Sequence, residues 1–267
     1  MLSQQEIRAT ATPPASMPSF KGLDAVLLNE ALQEAHCRIV TPSALAPLLG
    51  LPGRSGVFLP QASLAYCQSF GRIVVVGRAP KGWLNKVDLS STPIADYVRR
   101  SADAHLGVLL AKPGKHKFLQ FLKRGNQRMG GAAGALGWCN LFAASHARAS
   151  PTTIAKDFPD AYQAIKRLSR ELLDAQLRIL QPHVICFATN PSFDKQLKSH
   201  FGERMGPISV ENKGARLRFE LDSIPAWRIN HPMHLTKLDR ETALTDMIAV
   251  AKAAATPGEK RPSQISA

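Results

Sequence analysis

The chain has 267 residues, 45% of them hydrophobic and 20% charged, a balance that excludes an intrinsically disordered protein and supplies enough apolar mass for one sizeable core. Lys and Arg number 34 against 20 Asp and Glu, giving +14; this favours a polyanionic partner, DNA foremost, although a generally basic surface would give the same sum. No stretch approaches the roughly 20 apolar residues of a membrane span, and Cys37, Cys67, Cys139 and Cys186 form no Cys-x-x-Cys pair, so neither a membrane protein nor a zinc or iron–sulfur site is expected.

Residues 1–18 and 256–267 are poor in large apolar groups and rich in helix breakers, which predicts flexible ends around a single domain over 19–255. Without an N-terminal basic and apolar leader the expected location is cytoplasmic. Leu27, Leu28, Ala31 and Leu32 recur at helical spacing, and the prolines at 42, 47, 52 and 60 then predict an irregular segment. Residues 73–76 are a β-branched run between Gly71 and Gly77, short enough for a central parallel strand. Helices are predicted over 93–102 and 117–123, the second carrying Lys117, Lys123 and Arg124 as a basic flank suited to phosphate.

A glycine-rich stretch, 130–137, leads into a second strand over 138–144 whose polar exception is Asn140. A helix over 165–179 follows, with Arg170, Asp174 and Arg178 four apart and able to pair, and Pro182 precedes a third strand over 183–188. A helix over 192–201, strands over 217–221 and 227–230, and a last helix over 242–254 complete the pattern. The alternation predicts a three-layer α/β fold around a mostly parallel sheet flanked by helices. In such sheets ligands bind beyond the carboxyl ends of the strands, which directs attention to the residues that follow each run.

Three such segments stand out: Gly77-Arg-Ala-Pro80 after the first strand, Asn140 on the second, and His231-Pro232 after the last. In order and spacing they resemble the motifs of the uracil-DNA glycosylase superfamily, and the resemblance spans about residues 70–252, including the helix, proline and buried strand over 178–188. It implies a uracil-DNA glycosylase-like fold and hydrolysis of the N-glycosidic bond of uracil or a related deaminated base in DNA, with no cofactor. Asn140 would read the base edge, since an amide carries both a donor and an acceptor. His231 would donate to the base oxygen as charge develops there, and Met233 and His234 would occupy the part that enters the minor groove.

Gly77, Arg78, Pro80 and Pro232 would complete the binding surface, with Trp83 or Phe142 as candidates to stack on the base. Family members often carry Asp, Asn or Glu inside the first motif to orient water; here Arg78 and Ala79 stand there, leaving Asn85 or Asp88 downstream as the candidates. The four-cysteine cluster of the branches with an apolar first motif is missing, so the chain would be an atypical branch. A non-catalytic nucleic-acid-binding module of the same fold is the alternative. A dinucleotide site is disfavoured because Gly77-Arg-Ala-Pro-Lys-Gly82 has Ala where the second glycine belongs, and Gly53-Arg-Ser-Gly56 is not a serine-hydrolase elbow.

Overall fold

The computed structural model describes residues 23–146 and 151–255, so the segments expected to be flexible lie outside the described residues. Six strands form one sheet in the order β2-β1-β3-β6-β5-β4: β1 (Ile73–Gly77), β2 (Leu136–Asn140), β3 (Val184–Ala188), β4 (Ser209–Glu211), β5 (Arg216–Leu221) and β6 (Ile224–Ile229). β2, β1, β3 and β6 run parallel, while β5 and β4 extend the sheet antiparallel. The fold is the mostly parallel, helix-flanked α/β sheet that the alternation predicts.

Successive β1 residues face opposite layers, as the two-residue period of a strand requires. Val74 and Val76 pack with α1 (Ala25–Ile39), α2 (Pro42–Leu49), α4 (Ile94–Leu110), α6 (Pro159–Leu180) and α7 (Asp194–Phe201); Ile73 and Val75 pack with α5 (Lys117–Arg128) and α8 (Lys237–Ala255). The five residues of β1 and of β3 are buried on both faces, which is why both read as unbroken apolar runs. Among the described residues no helix is long and apolar enough to cross a membrane.

The proline-rich segment is more ordered than its composition predicts. Thr41 caps α2 by accepting from the Ala44 amide at 3.2 Å, and Pro42 sits in the first turn, where its missing N–H costs nothing. Beyond α2, α3 (Leu64–Gln68) follows a buried extended stretch whose amides are satisfied from α4: the Val57 amide donates to Tyr97 Oη at 2.5 Å and the Leu59 amide to Ser101 Oγ at 3.1 Å. Side-chain acceptors on a distant helix are invisible to local pattern. The three-residue edge strand β4 is too short to announce itself for the same reason.

Two further boundaries and one ion pair differ. α5 continues through Gly125 to Arg128 because a Cβ at Gly125 would lie 2.2 Å from Leu136 Cδ1, so the glycine there serves packing rather than termination. β2 stops at Asn140, after which the Leu141 and Phe142 amides donate to the Gly77 and Arg78 carbonyls at 2.8 and 2.9 Å, carrying the two chains onward together. Asp174 pairs with Arg204 at 2.6 Å, across to the segment after α7, instead of along its own helix.

The end of β6 is fixed by Arg228, which is 1% exposed and bonds both oxygens of Asp194 at 2.8 and 2.9 Å while donating to the Gly214 and Ala215 carbonyls. Removing one member of a buried pair leaves the other charge without compensation. Asp194→Ala should therefore lower the unfolding free energy by about 3 kcal/mol in urea titrations at pH 7, and a loss below about 1 kcal/mol would refute a structural role for the pair.

Candidate active site

The carboxyl ends of β1, β2 and β6 open into one cavity of about 540 Å³, within the range usual for small-ligand sites. Gly77, Arg78, Pro80, Trp83, Asn140 and His231 all line it, so residues from all three sequence motifs meet there. Trp138, Phe118, Phe193 and Met233 contribute the apolar wall.

The parallel register places Gly77 directly beside Asn140. Asn140 is 5% exposed, and its Oδ1 accepts from Trp138 Nε1 at 3.2 Å. An indole nitrogen only donates, so this contact fixes which end of the amide is oxygen. The opposite end, Nδ2, has no hydrogen-bond partner. A buried amide nitrogen left unpaired costs about 1–3 kcal/mol, a cost that functional sites tolerate when a ligand supplies the acceptor.

His231 follows β6 on a loop tied down at several points. Its amide donates to Asn190 Oδ1, and Asn190 itself adopts φ +78 immediately before Pro191. Arg240 donates to the Pro232 and Leu235 carbonyls at 2.9 and 3.0 Å, and the His234 amide closes a turn onto the His231 carbonyl at 2.7 Å. The His231 ring stacks on Phe118 with centroids 5.9 Å apart and planes 18° from parallel. Its Nδ1 accepts from the Met233 amide at 3.3 Å, which leaves Nε2 to carry the proton. Burial, followed by the charge of Arg78, lowers its pKa to about 3, so the imidazole is a neutral N–H donor at physiological pH.

The charges around the cavity have one sign. Arg78, Lys81, Lys115 and Lys117 line it together with His116, none of the four has an ion pair among the described residues, and no Asp or Glu is among the described lining residues. Burial lowers the pKa of Arg78 without a compensating anion. Among the described residues no group of three or more His, Cys, Asp or Glu side chains is placed to hold a metal ion.

Five of the sequence candidates, Asn85, Asp88, Phe142, Pro232 and His234, are not among the lining residues. Asn85 is exposed outside the cavity lining. Asp88 is also exposed, and its carboxylate accepts from the Ser90 amide, Ser90 Oγ and Ser91 Oγ at 2.7–2.9 Å, which holds its pKa at about 2 and commits it to the turn before α4. Phe142 is fully buried behind Phe193, at 6.2 Å, and does not line the cavity. His234 is exposed beside His231, with ring centroids 6.3 Å apart, and is likewise not a lining residue. Pro232 is buried in the loop that carries His231 and shapes it through its carbonyl. Trp83 does line the cavity, its Nε1 held by Ser101 Oγ at 2.9 Å.

Sequence reasoning missed Trp138, Phe118, Lys115, His116 and Asn190. Only Asn190 carried a local signal, an Asn-Pro step after a buried strand. No family model matches the chain, and no curated protein matches it.

The protonation state of His231 is directly measurable. In a proton NMR titration its imidazole should remain neutral from pH 8 to pH 5 and change only near pH 3; a midpoint close to 6.5 would show that the ring is not buried among cations as described.

Proposed function

We propose that the protein is a DNA glycosylase of the uracil-DNA glycosylase type, releasing uracil or a related deaminated base from DNA in a cytoplasmic setting. The observation that carries this reading is the buried, unpartnered Asn140 amide in the same cavity as a neutral His231. With Oδ1 turned to Trp138, the Asn140 NH2 suits the O4 acceptor of uracil, and the second lone pair of Oδ1 suits its N3–H. Cytosine presents an amino group where uracil has O4, so two donors would face one another and the wrong base would leave both unpaired.

In the reaction the C1′–N1 bond breaks with its electron pair passing to the base. The water oxygen bonds to C1′ and its proton ends on the base or in solvent. His231 Nε2–H stabilises the charge that develops on the base O2, and the unpaired cations Arg78 and Lys81 lower the energy of the same anion. This neutral hydrogen-bond donor keeps its proton and sits in a field that favours the departing anion. Catalysis on this reading rests on the leaving group, since no Asp or Glu is among the described lining residues to activate water.

That same lack supports a second reading, a module that holds nucleic acid without cleaving it. The two separate in one assay. Oligonucleotides carrying uracil, hypoxanthine or xanthine, single- and double-stranded, are incubated with the protein and tested for alkali-labile abasic sites. Release from one of them, reduced about 100-fold by Asn140→Ala and by His231→Ala with the dichroism spectrum unchanged, is the expected result. Salt-sensitive binding with no release by the wild-type protein selects the binding module.

Trp138→Phe keeps the ring and removes the N–H that orients Asn140. It should reduce discrimination between uracil and cytosine about tenfold while leaving thermal stability within a few degrees. Unchanged discrimination would show that Trp138 does not position the amide.

A further inference from the structure

We propose that the start of α5 and the lysines around it form a phosphate subsite at the mouth of the cavity, taking either a phosphodiester of a nucleic-acid strand or the phosphate of a free nucleotide. The subsite deepens the base-release reading and rests on it for the identity of the group bound next to the phosphate.

The first turn of α5 presents unsatisfied donors. The first bond of the helix runs from the Gln120 amide to the His116 carbonyl at 2.9 Å, which leaves the amides of Lys117, Phe118 and Leu119 outside the helical ladder. His116 stands at the N-cap position but makes no side-chain cap, and no acidic residue occupies the first turn. Among the described residues nothing caps or neutralises the positive end of the helix dipole. All three of these residues line the cavity.

The approach to the helix is also set in advance. Gly114 takes φ +52, a conformation that disfavours any side chain, and its carbonyl accepts from Gln120 Nε2 at 2.7 Å. The His116 amide donates to the Pro113 carbonyl at 3.2 Å, so the turn and the first helical turn hold one another in place. Lys115 and Lys117 flank this turn, with Lys81 and Arg78 on the facing loop. Farther along α5 the charges are treated differently, because Arg124 and Arg128 both pair with Glu241 on α8. Lys117 at the cavity end of the helix keeps its charge uncompensated, as does Lys123 farther along, among the described residues.

Asn140 gives an independent indication that this cavity receives a ligand, being 5% exposed with its amide nitrogen unpartnered. A base held there and a phosphate at α5 are the two polar ends of one nucleotide. Phe118, which belongs to the first turn of α5 and stacks on His231, links the two regions physically.

Tryptophan fluorescence of the full chain reads binding without requiring activity, because Trp83 and Trp138 line the cavity. The probes are inorganic phosphate, deoxyuridine, dUMP, a uracil-containing single strand, and the same strand with methylphosphonate linkages on both sides of the uracil. The expected result is that dUMP or the natural strand binds at least about tenfold more tightly than its uncharged counterpart, with inorganic phosphate competing. Lys115→Ala with Lys117→Ala should weaken that binding about tenfold and reduce its salt dependence, and Lys115→Arg with Lys117→Arg should restore it.

A preference confined to dUMP assigns a free nucleotide, and one confined to the natural strand assigns a backbone phosphodiester. Both support the subsite. Equal binding of charged and uncharged probes, no response to any probe, or wild-type affinity in the folded double Ala variant overturns it. Base release that persists without phosphate dependence removes the subsite alone, whereas phosphate-dependent binding with no base release from any oligonucleotide removes the glycosylase reading and leaves the subsite standing.

Discussion

The close approach of Asn140 to Gly77 governs the geometry of the cavity. A Cβ at position 77 would lie 2.5 Å from Asn140 Oδ1 and 3.3 Å from Phe118 Cζ, so a glycine is required for the two strands to end side by side with a polar group between them. The parallel register of β1 and β2 delivers both residues at the same level, and a slip of one residue would turn Asn140 to the opposite face of the sheet. Phe118 fits into the space the glycine leaves, and His231 stacks on Phe118. The position of a histidine almost a hundred residues beyond Asn140 in sequence thus depends on the absence of one side chain on β1.

Electrostatics impose the second constraint. Cations gathered without anions repel one another and destabilise the fold, and a buried amide without a partner adds to the cost. Elsewhere Arg228, Arg204 and Arg216 all meet carboxylates. A cluster of unpaired cations beside a buried, unpartnered amide in one cavity is the pattern expected where stability has been given up for binding. The neutral state of His231 belongs to the same pattern, because its protonation is suppressed first by burial and then by the charge of Arg78, which would also attract an anion.

What the sequence disclosed follows from the range over which each signal acts. The central strands were legible because burial on both faces demands an unbroken apolar run of a few residues, and the long helix α6 because its apolar stripe persists over 22 residues. Gly77, Arg78, Pro80, Trp83, Asn140 and His231 were legible as strand-end exceptions, and the cavity unites them. Trp138 was not, since an aromatic in an apolar strand reads as core until its N–H is seen to meet Asn140. Asp88 misleads for a related reason: a carboxylate near a motif resembles a catalytic group, whereas the Ser90 and Ser91 hydroxyls beside it make it a turn acceptor. Phe142 follows Asn140 by two residues and therefore points to the same side of an extended chain, but the chain leaves the strand at Asn140 and carries Phe142 into the core.

The loop after β6 brings these constraints together. Met233 is 56% exposed at the cavity edge, an unfavourable place for a large apolar side chain. A mobile loop could relieve that exposure by folding inward, but this one is held by Asn190 at its start and by Arg240 at two of its carbonyls. The Met233 amide is itself engaged with His231 Nδ1. The bond that fixes the histidine tautomer therefore also anchors the backbone at Met233. Moving the Met233 backbone would release Nδ1 and with it the preference for a proton on Nε2, so the tautomer depends on the loop keeping this conformation.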